Sequence, residues 1–198
     1  MTRWQRFYLD EPGLASISAS ACAHRARELF QQQCRQHVLD LGCGTGRDTA
    51  RLADGTNHVV GLDAAFSGLK LAQARFQTDR LAMPLVTGDA RRLPFSNTGF
   101  DGIYCFGLLH EFTTETAAED VRQVMEEIQR VLKPDGLLVL TTLAGEPQQG
   151  LPHVRLFTEP MFVEAAEGLH AIEKQAYSDI GCTGQSDYHV WYGVFRKN

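Results

Sequence analysis

This sequence lacks long apolar runs, an excess of basic residues and regularly spaced cysteines. Each of these absences argues against a class of protein. No run of roughly 18 apolar residues is present, so no membrane-spanning helix is expected. The first residues are not followed by the apolar stretch of a signal peptide. Lys and Arg number 19 against 24 Asp and Glu, a net charge of −5, whereas nucleic-acid and anionic-membrane binders need a basic surface. A cytoplasmic protein without a nucleic-acid or membrane partner is therefore expected.

The cysteines form no recognisable pattern. They number five, an odd count, and no two of them have C-x-x-C spacing: Cys22, Cys34, Cys43, Cys105 and Cys182. Neither a disulfide framework nor a zinc site fits such spacing. Reduced thiols and no bound metal are therefore expected.

The length and composition are those of one globular domain. The chain has 198 residues, of which 43% are hydrophobic and 22% charged. Single domains usually have about 100–200 residues, so we predict one domain over 1–198. Its parts are an N-terminal helical segment (1–36), a ligand-binding core (37–142), and a loop, helix and hairpin (143–198).

Two hydrophobic patterns alternate along the chain, one typical of buried strands and the other of amphipathic helices. Strands are predicted over 37–41, 57–63, 85–88, 100–106, 137–142, 169–178 and 189–196. Helices are predicted over 47–53, 67–80 and 115–132, from Ser18 or Ser20 to about Arg35, and from near Pro160. Strands that alternate with helices require a parallel sheet covered on both faces, whereas the short last connection forces an antiparallel hairpin. We therefore predict a doubly wound α/β sheet of seven mostly parallel strands with an antiparallel last strand.

A cluster of three glycines directly after a predicted strand is the most informative stretch. Gly42, Gly44 and Gly46 follow strand 37–41 and precede a predicted helix. Glycine permits positive φ and lets a ligand approach the main chain, and a helix N-terminus offers free N–H groups. The next strand ends at Asp63, 21 residues after Gly42, where a carboxylate can accept hydrogen bonds from both ribose hydroxyls. The pattern predicts a ribose-containing ligand.

The spacing and charge of this turn argue against a dinucleotide. Arg47 stands where the fingerprint G-x-G-x-x-G requires its third glycine. Asp40 and Asp48 flank the turn, and carboxylates beside a pyrophosphate are unfavourable. A cationic or zwitterionic ligand such as S-adenosylmethionine, with a sulfonium, an amino group and a ribose, suits these acids better. A nicotinamide-dependent enzyme is the weaker alternative.

Five segments, in matching order, resemble the class I S-adenosylmethionine-dependent methyltransferases. They are Val38–Gly46, Val60–Asp63, Gly88–Phe95, Phe100–His110 and Arg130–Leu137. The resemblance implies a Rossmann-like sheet with an antiparallel last strand. It also implies S-adenosyl-L-methionine as cofactor, with S-adenosyl-L-homocysteine as the product.

The same resemblance implies a set of cofactor-binding residues. They are Asp40, Gly42, Cys43, Gly44, Gly46, Asp63, Ala64, Asp89, Ala90 and Phe106. The glycine backbone would face the methionine part, Asp40 its amino group and Asp63 the ribose. Asp89 would accept a hydrogen bond from the adenine N6 amino group, and the Ala90 N–H would reach N1. The alternative roles are turn residues for Asp63 and Asp89 and a packing residue for Cys43.

The segment after the fourth strand faces the methyl acceptor in such proteins. Here it lacks the Asn/Asp-Pro-Pro-aromatic motif of enzymes that methylate amino groups of bases, and Cys105 lacks the preceding Pro of a cytosine-C5 nucleophile. His110 is the candidate general base, with framing of the cofactor or capping of a helix as the alternative. Because little chain lies outside the cofactor core, a small-molecule acceptor is expected.

Other residues that could contact the acceptor lie in the last third of the chain. His153 and Arg155 belong to the loop 144–157, which is expected to be either a lid or an ordinary surface loop. His189 and Tyr192 begin the last strand, where aromatic packing is the alternative. The layout of the chain also resembles the tellurite-resistance methyltransferases. This leaves two alternatives to general small-molecule methylation: a detoxifying tellurite or thiol methyltransferase, and a non-catalytic cofactor-binding module that acts through a partner.

Overall fold

A computed structural model describes residues 3–53, 58–146, 153–180 and 187–198. The described helices are α1 (Arg3–Asp10), α2 (Ala21–Gln32), α3 (Arg47–Leu52), α4 (Phe66–Thr78), α5 (Ala117–Val131) and α6 (Glu159–Ala165). The strands are β1 (His37–Leu41), β2 (His58–Asp63), β3 (Leu85–Thr87), β4 (Phe100–Phe106), β5 (Leu132–Leu143), β6 (Leu169–Ile180) and β7 (Asp187–Lys197). None of the helices in these ranges is long and apolar enough to cross a membrane.

All seven strands form one sheet in the order β3-β2-β1-β4-β5-β7-β6. Strands β1 to β5 pair in parallel, and β7 is antiparallel to both of its neighbours. The predicted fold class, including the antiparallel last strand, is confirmed. The order in which successive strands are added to the sheet reverses between β1 and β4, and ligands bind at such switch points, beside the carboxyl ends of the strands.

Helices cover both faces of the sheet, and each face has its own apolar core. On one face, the side chains of Ala23, Ala26 and Phe30 of α2 pack against Val38 and Val139. The opposite face carries α5, whose apolar residues recur at helical spacing and are buried: Val121, Val124, Met125 and Ile128. The two cores hold the carboxyl ends of the central strands in place.

Helix boundaries follow the capping chemistry read from the sequence. Ser20 is the N-cap of α2, and its side chain accepts a hydrogen bond from the Ala23 N–H at 3.0 Å. Thr158 caps α6 in the same way through Met161. The interpretation of Ser20 and Thr158 as caps is therefore confirmed.

Two elements differ from the sequence-based expectation. Helix α1 lies within the predicted N-terminal helical segment (1–36), but in a part for which no separate helix is predicted. It has only eight residues and buries no side chain completely. Strand β5 begins at Leu132 rather than Leu137, because the turn-like residues 133–136 form a bulge inside the strand instead of a separate turn. In that bulge, Asp135 adopts a φ of 59°.

Candidate cofactor and acceptor site

The loop that joins β1 to α3 is built on glycines in the left-handed region. Gly42, Gly44 and Gly46 have φ values of 82°, 52° and 71°. A Cβ on Gly46 would lie 2.7 Å from the Phe76 ring and 2.9 Å from the Ala72 side chain, so only glycine lets α4 pack this closely. The loop is largely buried, with only Gly42 partly exposed, and its shape is set by the tight packing around it.

Asp63, at the end of β2, holds this loop. Its Oδ2 accepts a hydrogen bond from the Gly44 N–H at 2.8 Å, and its Oδ1 accepts one from the Ala65 N–H at 2.7 Å. Burial raises the pKa of the carboxyl, and the backbone N–H groups of Ala65, Gly44 and Ala64 oppose that shift. Because an ionised carboxylate has about four acceptor positions, Asp63 keeps room for at least one hydroxyl donor.

The glycine loop 42–46 and the two carboxyls that border it, Asp40 and Asp63, form a candidate cofactor cradle. Asp40 is the more deeply buried of the two carboxyls. It is 2% exposed, and the Thr49 hydroxyl donates to its Oδ2 at 2.5 Å. Burial raises its pKa to about 8, with the nearby Asp48 and Asp63 adding to the effect. A cationic group placed beside Asp40 would relieve this cost by favouring the charged form.

The neighbouring acid, Asp48, is occupied elsewhere. Its carboxylate accepts hydrogen bonds from the Ser20 N–H at 2.8 Å, the Ser20 hydroxyl at 2.9 Å and the Tyr104 hydroxyl at 3.2 Å. Asp48 thus fastens α2 to the sheet. Its hydrogen-bond partners lie at the start of α2 and in β4. The expectation that Asp48 would contact the ligand is therefore not supported by these contacts.

Asp89 and Ala90 lie in the loop after β3. The side chain of Asp89 is 49% exposed, and Ala90 is buried. Hydrogen bonds from the Arg91 side chain hold the pKa of Asp89 below its ordinary value. The loop therefore offers one exposed, ionised carboxylate at the edge of the cradle.

Three further residues of the expected cofactor site have different surroundings. Ala64 is exposed beside Asp63, where a ligand could reach it. Phe106 ends β4, and its ring is stacked on Tyr104 at 6.1 Å with the Arg47 guanidinium 5.4 Å from its centroid. Cys43 is buried against β2, and burial raises the pKa of its thiol, which fits the alternative of a packing residue.

His110, the candidate base, follows β4 in a short 3-10 helix. Its side chain is 12% exposed, and its Nδ1 accepts a hydrogen bond from the Leu143 N–H at 3.3 Å. Burial, together with the nearby Arg3 charge, lowers its pKa to about 3. The ring is therefore neutral near pH 7, with its proton on Nε2 and its only basic nitrogen engaged by the backbone.

Glu111 connects this segment to α1, a contact that sequence reasoning missed. Its Oε2 accepts a hydrogen bond from Trp4 Nε1 at 2.9 Å and pairs with Arg3. Burial raises the pKa of this carboxyl. The amphipathic pattern of residues 3–10 was the available signal for α1, but a pattern this short does not indicate where the helix docks.

Helix α1 also lies over the glycine loop. A Cβ on Gly44 would come within 2.5 Å of the Tyr8 hydroxyl, and one on Gly68 within 2.8 Å of the Tyr8 ring. The Ser67 hydroxyl donates to the Gln5 carbonyl at 2.7 Å. The N-terminal helix is thus one wall of the cradle.

The remaining acceptor candidates are dispersed. His153 and His189 are exposed, and Tyr192 is buried in the core beneath the Arg25 guanidinium. Arg155 contacts the segment after β4, since its N–H donates to the His110 carbonyl at 2.8 Å.

The predicted lid, 144–157, can be followed only at its two ends. Phe157 N–H donates to the Leu143 carbonyl at 2.9 Å, and Gly145 N–H donates to the Phe157 carbonyl at 3.0 Å. These bonds fasten both ends beside β5. The centre of the predicted lid, 147–152, lies outside the described residues.

The sheet order and the acid at the end of β2 are those of class I methyltransferases. A family model described as a methyltransferase domain matches residues 38–136, which is half of the chain. The chain therefore belongs to this methyltransferase domain family.

Individual relatives agree with that assignment. An uncharacterized protein, MJ1252, of Methanocaldococcus jannaschii is 34% identical over 118 residues, covering 58% of this chain and 41% of the relative. A demethylmenaquinone methyltransferase of Lactiplantibacillus plantarum is 39% identical over 121 residues, covering 58% of this chain and 48% of the relative. The aligned region spans 24% to 60% of the lengths of such curated relatives.

Solved structures share the fold at low sequence identity. The Burkholderia thailandensis 1,6-didemethyltoxoflavin-N1-methyltransferase, solved with S-adenosylhomocysteine, has a TM-score of 0.65 and 22% identity, covering 90% of this chain and 79% of that one. The PH0226 protein of Pyrococcus horikoshii has a TM-score of 0.70 and 19% identity, covering 86% of each chain. These likenesses support the fold over most of the chain.

Proposed function

We propose that this protein transfers the methyl group of S-adenosyl-L-methionine to a small-molecule acceptor. The observation that carries the proposal is the hydrogen bond between Asp63 and the Gly44 N–H, which joins the candidate ribose acceptor to the glycine loop. Membership of the methyltransferase domain family supports it. Related proteins named for demethylmenaquinone and toxoflavin chemistry support a small acceptor.

The residues present fit this cofactor. Asp40 is a buried carboxyl with a raised pKa, and the cofactor's amino group is the kind of cation that would favour its ionised form. Asp63 keeps room for a ribose hydroxyl beside its backbone donors, and Asp89 is an exposed carboxylate for an amino group of the base. The bound cofactor supplies an electrophilic methyl group on a sulfonium, which is already a good leaving group.

On the acceptor side, the chain contributes alignment rather than proton removal. We assign His110 a positioning role, because its Nδ1 is engaged by the Leu143 N–H and its pKa is about 3. In-line placement of two reacting atoms can itself supply a large part of the rate enhancement. An acceptor that arrives with its own lone pair or negative charge, such as a thiolate or phenolate, suits such a site.

Calorimetric titration tests the cofactor assignment first. The protein should bind S-adenosyl-L-methionine and S-adenosyl-L-homocysteine and should not bind NAD. Binding of NAD alone would contradict the proposal and favour the nicotinamide alternative.

An acceptor screen then tests catalysis. Thiols, selenite, tellurite, phenols and amines would be incubated with the protein and cofactor while S-adenosyl-L-homocysteine formation is followed. Turnover with one class is expected and would also decide the tellurite or thiol alternative. Tight cofactor binding without turnover on any of them would favour the non-catalytic module.

A further inference from the structure

Arg91 lies one residue beyond the expected adenine-contacting pair and has the most extensive contacts with Asp89. Its Nε donates to Oδ1 and Oδ2 of Asp89 at 3.0 and 3.2 Å, and its Nη2 donates to Oδ2 at 2.6 Å. The Arg91 backbone N–H donates to Oδ1 at 2.9 Å as well. An exposed aspartate normally samples several rotamers, whereas a two-pronged guanidinium holds this one in a single orientation.

The guanidinium is itself anchored on the other side. Its Nη1 donates to Oδ1 of Asp120 at 2.8 Å, and Thr116 donates to the second oxygen of Asp120 at 3.0 Å. The Phe112 ring centroid lies 6.0 Å from the guanidinium carbon. Arg91 therefore connects the loop after β3 to the first turn of α5, and separates two carboxylates that would otherwise repel each other.

This arrangement leaves Asp89 with limited but defined hydrogen-bonding capacity. An ionised carboxylate has about four acceptor positions, two on each oxygen. Both positions on Oδ1 are engaged by the Arg91 backbone N–H and Nε, whereas Oδ2 has one close donor, Nη2 at 2.6 Å, and shares the bifurcated Nε–H at 3.2 Å. Because that shared bond is the longest of the four, Oδ2 is the oxygen with room for one further N–H donor, and it would repel a carbonyl oxygen.

We propose that Arg91 is a positioning residue that aims Asp89 at an amino group, so that the site distinguishes a 6-aminopurine from a 6-oxopurine. The inference rests on the proposed function, because Asp89 meets adenine only if the cofactor is an adenosyl compound. It adds a residue that contacts no ligand itself and acts through the orientation of Asp89.

The test compares two ligands that differ at C6 and N1 of the purine, because the deaminated ligand has a carbonyl in place of the amino group and a hydrogen on N1. S-adenosyl-L-homocysteine and its deaminated analogue, S-inosyl-L-homocysteine, would each be titrated calorimetrically into the wild-type, Arg91→Ala, Arg91→Lys and Asp89→Asn proteins. The measured quantity is the ratio of the two dissociation constants, which a general loosening of the fold does not change. Thermal melting of each variant establishes that it is folded.

The wild-type protein should prefer the amino ligand by about tenfold or more, as expected when a site built for an N–H donor meets a carbonyl instead. Arg91→Ala should reduce that preference about threefold or more. Arg91→Lys should keep only part of that preference, because an ammonium lacks the planar fork of a guanidinium. Asp89→Asn should reduce the preference further, since an amide can also donate to a carbonyl. The hydrogen on N1, which would oppose the Ala90 N–H, should preserve a remainder.

Arg92 provides the matched control. It is the adjacent exposed arginine, and its substitution by alanine removes the same charge without removing a side-chain contact to Asp89 that the structure shows. Arg92→Ala should leave the ratio unchanged. Equal weakening of both ligands by Arg91→Ala, or an unchanged ratio, would overturn the inference, whereas failure of the wild-type protein to bind S-adenosyl-L-homocysteine would instead overturn the proposed function.

Discussion

The cradle after β1 and β2 and the segment after β4 are organised by different kinds of contact. In the cradle, Asp63 is held by backbone N–H groups, one two residues away and one 19 residues away across the neighbouring strand. After β4, His110 and Glu111 are engaged by the distant Leu143, Trp4 and Arg3. The first region is prepared to bind a polar ligand, whereas the polar groups of the second hold the protein's own elements together.

Asp63 provides the strongest test of this difference. Asp63→Ala removes the acceptor for the ribose and the restraint on Gly44, so S-adenosyl-L-homocysteine should bind at least about tenfold more weakly, since a lost charge-assisted hydrogen bond costs about 1.5–3 kcal/mol. Isothermal calorimetry measures this. Asp79→Ala, which removes a carboxylate beyond the end of α4, is the control. Equal affinities for Asp63→Ala and the wild type would contradict the ribose assignment.

Asp40 should make the stability of the ligand-free protein depend on pH. Its folded pKa, about 8, lies above that of an unfolded aspartate, near 3.8, so the folded state keeps a proton that the unfolded state loses. Stability should therefore fall as pH rises between these values, with a limiting slope of about 1.4 kcal/mol per pH unit.

Urea unfolding of the wild type and Asp40→Asn, at about pH 5.5 and pH 7.5, measures this contribution. The wild type should lose more stability than the variant over that interval, because the amide that replaces the carboxyl has no proton to lose. An identical pH dependence in the two proteins would show that Asp40 is ionised in the folded protein over this whole pH interval. Its neighbours would then stabilise the carboxylate more than its burial indicates.

The contact between α1 and Glu111 should have a smaller effect. Trp4→Phe removes the indole N–H that donates to Glu111, and a hydrogen bond of this kind contributes about 1 kcal/mol to stability. Limited proteolysis should then cut α1 faster, and S-adenosyl-L-homocysteine should slow the cutting in both proteins. Leu9→Ala, at an exposed position of the same helix, is the control. Unchanged proteolysis of Trp4→Phe would show that other contacts hold α1.

The cradle could be predicted from the sequence, whereas the contacts of the segment after β4 could not. The strand, the glycines and Asp63 form a pattern of fixed spacing, because two successive strand–helix units place the loop and the acid at the same edge of the sheet. Helix α1 could not be placed in this way, since Tyr8 meets Gly44 and Trp4 meets Glu111 only after the chain has folded. The link from Arg91 to Asp120 is likewise a product of packing α5 beside the loop after β3.

Substitution of His110 should have the smallest effect on turnover, and this outcome distinguishes a positioning residue from a general base. A general base contributes about 100-fold or more to the rate, and its titration appears in the pH–rate profile. Because the Leu143 N–H engages Nδ1 and the pKa is about 3, His110→Gln, whose amide oxygen can also accept a hydrogen bond, should retain most of the turnover once an acceptor is known. Turnover of both proteins should be free of a step near pH 6.5 that belongs to His110. A loss of about 100-fold in His110→Gln with unchanged cofactor affinity would make His110 the base, and the region after β4 would then take part in the chemistry.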